Sequence, residues 1–217
     1  MDMQAWSAAE AHHLWLLAHR MLYDGAFEMA LRTSVHLKPL EKYIGAVDVY
    51  SLIATCAFHA RFFRECSRAM IRLEHEESLS KAQQEAYNEL SLQIFSRHPP
   101  NDPKKLPEKQ PGRSQEVCMA SGKLIDVERT VQGTWVRCGT CKRISGVQEL
   151  RGSKACPLCH TMFSASGDEL RESNGAAPRG RGGKSSLPES EQYPWNRGSG
   201  DTTRDLAARL YDPEFLS

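Results

Sequence analysis

Four cysteines carry the clearest chemistry in this sequence. Cys138-Gly-Thr-Cys141 and Cys156-Pro-Leu-Cys159 form a C-x2-C-x14-C-x2-C arrangement. Each two-residue spacer bends tightly enough to present both sulfurs to one ion, and four thiolates complete a tetrahedral shell, the pattern of a structural zinc site. A closed shell leaves no position for water, so the ion would hold the fold and neither generate hydroxide nor polarise a substrate. Iron in a rubredoxin-like site satisfies the same geometry, but no partner redox centre or cofactor motif accompanies it, which favours zinc. A ubiquitin-ligase RING would need eight ligands, and they are missing. His160 directly follows a ligand position and reads as a flank, because four cysteines already fill the shell.

The remaining chemistry-bearing residues have plainer explanations. Cys118 lies 20 positions before Cys138 without a close second cysteine and reads as a buried thiol. Cys56 and Cys66 fall within apolar helical patterns, where cysteine is a small core residue, and neither sits beside a Cys-His-Asp arrangement. His12, His13, His19, His59 and His75 show no i, i+4 pairing that would suggest metal. Neither a phosphate loop nor a strand-linked G-x-G-x-x-G occurs, so no catalytic or cofactor-binding residue is assigned. A zinc enzyme would require one of the four cysteines to yield to water, and the spacing gives no reason for that.

Lys plus Arg number 28 and Asp plus Glu 27, so no whole-chain field steers the protein to nucleic acid or an anionic membrane. A zinc-ribbon nucleic-acid binder is the alternative reading, supported locally by Arg129, Arg137, Lys142, Arg143, Arg151, Lys154 and the aromatic Trp135. No apolar run approaches the roughly 20 residues that span a bilayer. Asp2 and Glu10 stand where a signal peptide has its basic flank, so a cytosolic chain is expected. In that reducing compartment an odd total of seven cysteines favours metal over disulfides.

These cysteines need a scaffold. From about residue 7 to 97 apolar residues recur at three- and four-residue steps, interrupted only by Pro39, which predicts a helical region. Leu14, Leu17, Ala18 and Met21 share one face, Asp24-Gly25 offers a turn, and Ala26, Met29, Ala30 and Val35 continue on a second helix. Ala46, Val47, Tyr50, Ile53, Ala54 and Ala57 mark a third helix, and Phe62, Cys66, Met70 and Leu73 its partner. Ser80 is the expected N-cap of a fifth, with Ala86, Tyr87, Leu90 and Ile94 inward. Ala18, Ala26, Ala30, Ala54 and Ala57 would let helices approach closely. Without a clean 34-residue period, stacked tetratricopeptide-like pairs and a small irregular bundle fit equally well.

The expected fold class is mainly α. Tetratricopeptide-like helical hairpins occupy residues 1–97 and a proline-rich linker 98–116. A four-cysteine zinc-ribbon or knuckle β module, with a strand near Thr134-Trp135-Val136, occupies 117–163, and a glycine-rich tail expected to be disordered occupies 164–217. Trp195 and the spacing from Leu206 to Leu216 read as incidental residues of that tail. A module this small has too little core to be secure alone, and metal binding supplies the missing free energy, typically about 10 kcal/mol or more.

Taken together, Tyr50-Ser-Leu-Ile-Ala-Thr-Cys-Ala57, Ser67-Arg-Ala-Met-Ile-Arg-Leu73, Cys118-Met-Ala-Ser-Gly122, Trp135 and Cys156-Pro-Leu-Cys-His160 resemble a known family. The chain is similar, over roughly residues 14 to 163, to the C-terminal region of the WD-repeat and tetratricopeptide subunits of intraflagellar transport complex A, of the thirty-five type. The resemblance implies a non-enzymatic scaffold or adaptor in the train that carries proteins along cilia and flagella, especially in retrograde transport. It implies other complex A subunits and ciliary cargo adaptors as partners, and a location in the cytoplasm and at the cilium and its base. The family's long N-terminal WD40 propellers and most of its helical solenoid have no counterpart here, so the sequence reads as a fragment or a divergent short form. The positions that transfer are the four cysteines and, as a structural element, Cys118 to Gly122.

Overall fold

The computed structural model describes residues 3–103, 106 and 113–163. The tail from 164 onward, including Trp195 and Leu206 to Leu216, lies outside the described residues, as does most of 104–112. Among the described residues six helices precede two small hairpins: α1 (Met3–Tyr23), α2 (Phe27–Val35), α3 (Glu41–Ile44), α4 (Ala46–His59), α5 (Phe63–Glu74) and α6 (Lys81–Arg97). The five long ones are those the periodicity predicts; α3 is a single turn that follows a 3-10 turn at Lys38–Leu40, where Pro39 sits in the first turn.

The helix ends explain the hairpin geometry. After α1 the Ala26 amide donates to the Met21 carbonyl at 2.8 Å and the Gly25 amide to Leu22 at 3.1 Å, with Gly25 at φ 74, which closes the helix in a Schellman turn. The same turn ends α4: Phe62 donates to Ala57 at 2.8 Å and Arg61 to Phe58 at 3.1 Å. Here, however, a non-glycine residue, Arg61, holds the left-handed position at φ 59. Both turns reverse the chain, so α1 packs on α2 and α4 on α5; α2 also packs on α4 and α5 on α6. α6 starts with a capping box, in which Ser80 accepts from the Gln83 amide and the Gln83 side chain accepts from the Ser80 amide.

One core runs through the helices, with Leu14 and Ala18 of α1, Leu31 of α2, Met70 and Leu73 of α5, and Tyr87, Leu90 and Ile94 of α6. α4 is its centre: every residue from Ser51 to Phe58 is buried. A helix apolar on nearly all sides must be enclosed by neighbours, and α2 and α5 flank it. Ala26 departs from expectation, because it is the exposed N-cap of α2 and brings no helices together. Tyr50 and Ala86 are only partly buried.

The β part consists of β1 (Gln115–Val117) paired antiparallel with β2 (Leu124–Asp126), and β3 (Trp135–Arg137) paired antiparallel with β4 (Ile144–Gly146). β3 is displaced by one residue from the expected Thr134-Trp135-Val136, and β1 begins inside the stretch read as linker. A parallel bridge between Cys118 and Ile144 joins the hairpins. The first prolines do not hang free: Asp102 accepts from the Arg64 amide at 2.7 Å, in the first turn of α5, and His98 stacks on Phe63 at 4.7 Å.

The cysteine module is seated on the helices. Met119 belongs to the helical core, and His13 of α1 donates through Nε2 to the Met119 carbonyl at 2.7 Å. Arg143 pairs with Glu10 of α1 at 2.6 Å. Gly122, at φ 66, lies so close to α2 that a Cβ there would come within 2.1 Å of Thr33 Oγ1.

Candidate metal centre

Two tight turns of the same build bring the sulfurs together. In the first, the Cys138 amide donates to the Arg143 carbonyl at 2.9 Å and the Lys142 amide returns to the Cys138 carbonyl at 3.1 Å. In the second, Cys156 donates to Thr161 and His160 to Cys156, both at 2.9 Å. Lys142 (φ 63) and His160 (φ 58) take the left-handed conformation that lets each turn fold back. His160 is thus a turn residue, exposed and outside the sulfur cluster.

The Sγ atoms of Cys138, Cys141, Cys156 and Cys159 all lie within 4.8 Å of one another, and among the described residues they are the one grouping able to hold a metal ion. Cys138 approaches Cys159 to 3.4 Å and Cys141 approaches Cys156 to 3.6 Å. A zinc ion with four sulfurs at about 2.3 Å requires sulfur–sulfur edges near 3.8 Å, so the donor set and its spacing fit one tetrahedral zinc. Trp6, Leu158 and Phe163 pack around the cluster, and Cys138, Cys141 and Cys156 are buried. Burial pushes the Cys141 and Cys156 thiols above the ordinary value. At Cys159 burial acts upward too, but hydrogen bonds from Thr161 and the sulfur neighbours outweigh it and hold that thiol near 6. A bound cation would reverse this balance for the buried thiols by stabilising the thiolates.

Cys118 does not join the cluster; it is fully buried and its sulfur accepts from the Gly146 amide at 3.2 Å. Cys56 and Cys66 are core thiols pushed up to about 12 by burial, far from nucleophilic. Two of the basic residues that could have met phosphates are engaged within the chain. Arg137 makes a two-pronged contact to Glu116 at 3.0 and 2.6 Å, and Arg143 is held by Glu10. Trp6, Glu10, His13 and Thr33, which seat the module, show no signal in local spacing, because each acts across more than 80 positions of sequence.

Residues 3–102 match the family model described as IFT121-like, TPR repeats, and residues 116–164 match that of the IFT121 second zinc finger domain. The chain belongs to the IFT121 family. It is 41% identical over 162 residues to WD repeat-containing protein 35 of Rattus norvegicus, and 40% identical over 162 residues to that of Homo sapiens. Each alignment covers 72% of this chain and 13% of the relative, so the chain spans about one eighth of the length of the curated relatives it matches. The IFT121 zinc finger falls on the module that holds the four cysteines, consistent with one structural zinc. The tetratricopeptide reading of the helices agrees with the other match, although no clean repeat period marks them. No helix among the described residues is long and apolar enough to cross a membrane.

Proposed function

We propose that this chain acts as a non-enzymatic scaffold or adaptor part of an intraflagellar transport A subunit, in which Cys138, Cys141, Cys156 and Cys159 hold one structural zinc. The carrying observation is the closed four-sulfur cluster in a module seated on tetratricopeptide-like helices, within a chain of the IFT121 family. Zinc here contributes shape: it fixes two turns and, through Trp6 and the Glu10–Arg143 pair, the face that the module and α1 present together. Its partners are the other complex A subunits, with ciliary cargo adaptors next. Its place is the cytoplasm, the cilium or flagellum and its base, and its task is retrograde transport and cilium assembly. The proposed division is helical hairpins at 1–97, a proline-rich connection to 116, the zinc module at 117–163 and the glycine-rich tail beyond.

Affinity capture of the tagged, folded chain from ciliated or flagellated cells tests this. Recovery of other complex A subunits is expected, with loss of recovery when the four cysteines are replaced. An intact chain that captures none of them would count heavily against the proposal. Nucleic-acid binding is disfavoured by the internal engagement of Arg137 and Arg143. A phosphate-binding surface would show steep salt dependence, whereas no binding is expected even at low salt.

A further inference from the structure

The two hairpins superimpose in sequence register at an offset of 20 positions. β1 pairs with β2 through Gln115–Asp126 and Val117–Leu124, and β3 with β4 through Trp135–Gly146 and Arg137–Ile144. The flanking bonds repeat as well. Val127 donates to Ser114 at 3.0 Å as Val147 does to Thr134 at 2.9 Å, and Thr130 donates to Asp126 at 2.9 Å as Leu150 does to Gly146 at 3.2 Å. Most telling is the turn between the strands. Cys118 donates to the Lys123 carbonyl and Gly122 to the Cys118 carbonyl, both at 2.8 Å, and Gly122 is left-handed at φ 66. This is the turn built around Cys138 and again around Cys156, with Gly122 standing where Lys142 and His160 stand.

One residue differs in kind. The position of the second sulfur, Cys141 in one turn and Cys159 in the other, is Ser121 in the first hairpin. The Ser121 Oγ is buried and without a hydrogen-bond partner. Cys118 keeps the first position, but its sulfur takes an amide, Gly146 N–H, rather than a place beside three other sulfurs. The rest of the turn is spent on the helices: Met119 enters their core, its carbonyl accepts from His13, and Gly122 abuts Thr33.

We propose that residues 114–130 repeat the zinc hairpin without taking part in a metal site, and that their turn is the element that clamps the zinc module to α1 and α2. The clamp closes by packing where its twin closes by coordination. The chain therefore holds one zinc, and the first hairpin stays seated when that zinc is removed. This inference rests on the zinc assignment above.

Hydrogen exchange on the full chain, before and after a zinc chelator, separates the two. After chelation, peptides from 135–163 are expected to lose protection by tenfold or more while peptides from 115–126 keep theirs, apart from the Met119 amide, which is bonded to the Ile144 carbonyl. Simultaneous loss in both would overturn the clamp. Metal analysis supplies the second arm: Cys118→Ser is expected to retain one zinc per chain, and a drop toward zero would place Cys118 in the shell and sink the idea. Gly122→Val, strained at φ 66 and driven into Thr33, is expected to deprotect 115–126 without loss of zinc; zinc loss alongside would contradict independent closure. A folded wild-type chain with no zinc at all would instead defeat the metal assignment itself.

Discussion

Seven thiols divide into two chemical populations. Cys56 and Cys66 are raised from an ordinary 9.0 to about 12 by burial, which at Cys56 outweighs a hydrogen bond with Ser34, and Cys118 is fully enclosed. The four clustered sulfurs are shielded by one another and, with zinc bound, by the metal ion. A thiol reagent added to the native protein should react slowly everywhere; after chelation four thiols should become reactive while Cys56, Cys66 and Cys118 stay slow, as a colorimetric thiol count would register. The raised core thiols also set a pH dependence. Because their folded values exceed the unfolded one, their contribution is complete below about pH 9 and lost as pH rises toward 12. Denaturant midpoints should therefore fall across that window, and Cys66→Ala should flatten the fall. Arg61 offers a test of backbone strain: it sits left-handed at the end of α4, so Arg61→Gly should stabilise by about 0.5–1 kcal/mol, seen as a higher midpoint at unchanged slope.

Among the elements, those governed by local rules were legible. The faces of α1, α4, α5 and α6, the turn at Asp24-Gly25 and the Ser80 cap follow from three- and four-residue spacing and side-chain preference, forces that act within one helical turn. Ser80→Ala removes a reciprocal cap and should cost about 1 kcal/mol, measured by thermal or urea unfolding. The seating of the module was not legible, because Glu10–Arg143, His13–Met119 and Gly122–Thr33 are contacts between distant segments that no period encodes. Arg143→Ala removes the cation paired with the largely buried Glu10 carboxylate and should weaken the seating by roughly 1 kcal/mol. The loss should appear as earlier exchange of the hairpins with little change in α4 to α6. Ala26 shows the opposite failure: its spacing matched a helix face, but the residue falls at the cap, outside the packed turns.

At the scale of the whole molecule, helices and zinc module form one continuous body, with Met119 in the helical core and Trp6 against the sulfurs. Under the proposed scaffold role, a surface shared by the helices and the module would present a fixed shape to a partner, at a lower ordering cost on binding. The convergence of the four cysteines was legible, since chelate spacing is local and sulfur chemistry leaves few alternatives. The repeat of the hairpin was not read from the sequence, where Cys118 looks like a lone thiol; its trace in Cys118, Lys123, Leu124 and Cys138, Arg143, Ile144 becomes plain only when the hydrogen bonds are compared.

In the proposed centre all four cysteines hold one structural zinc on which the module's fold depends. The most direct measurement is zinc content by elemental analysis, together with hydrogen exchange of residues 135–163, on the wild-type chain and the four single Cys→Ser variants. One zinc per wild-type chain, and loss of both zinc and protection at each of Cys138, Cys141, Cys156 and Cys159, is predicted. A folded wild-type chain without zinc, or a single one of the four that can be replaced without losing the metal, would contradict it.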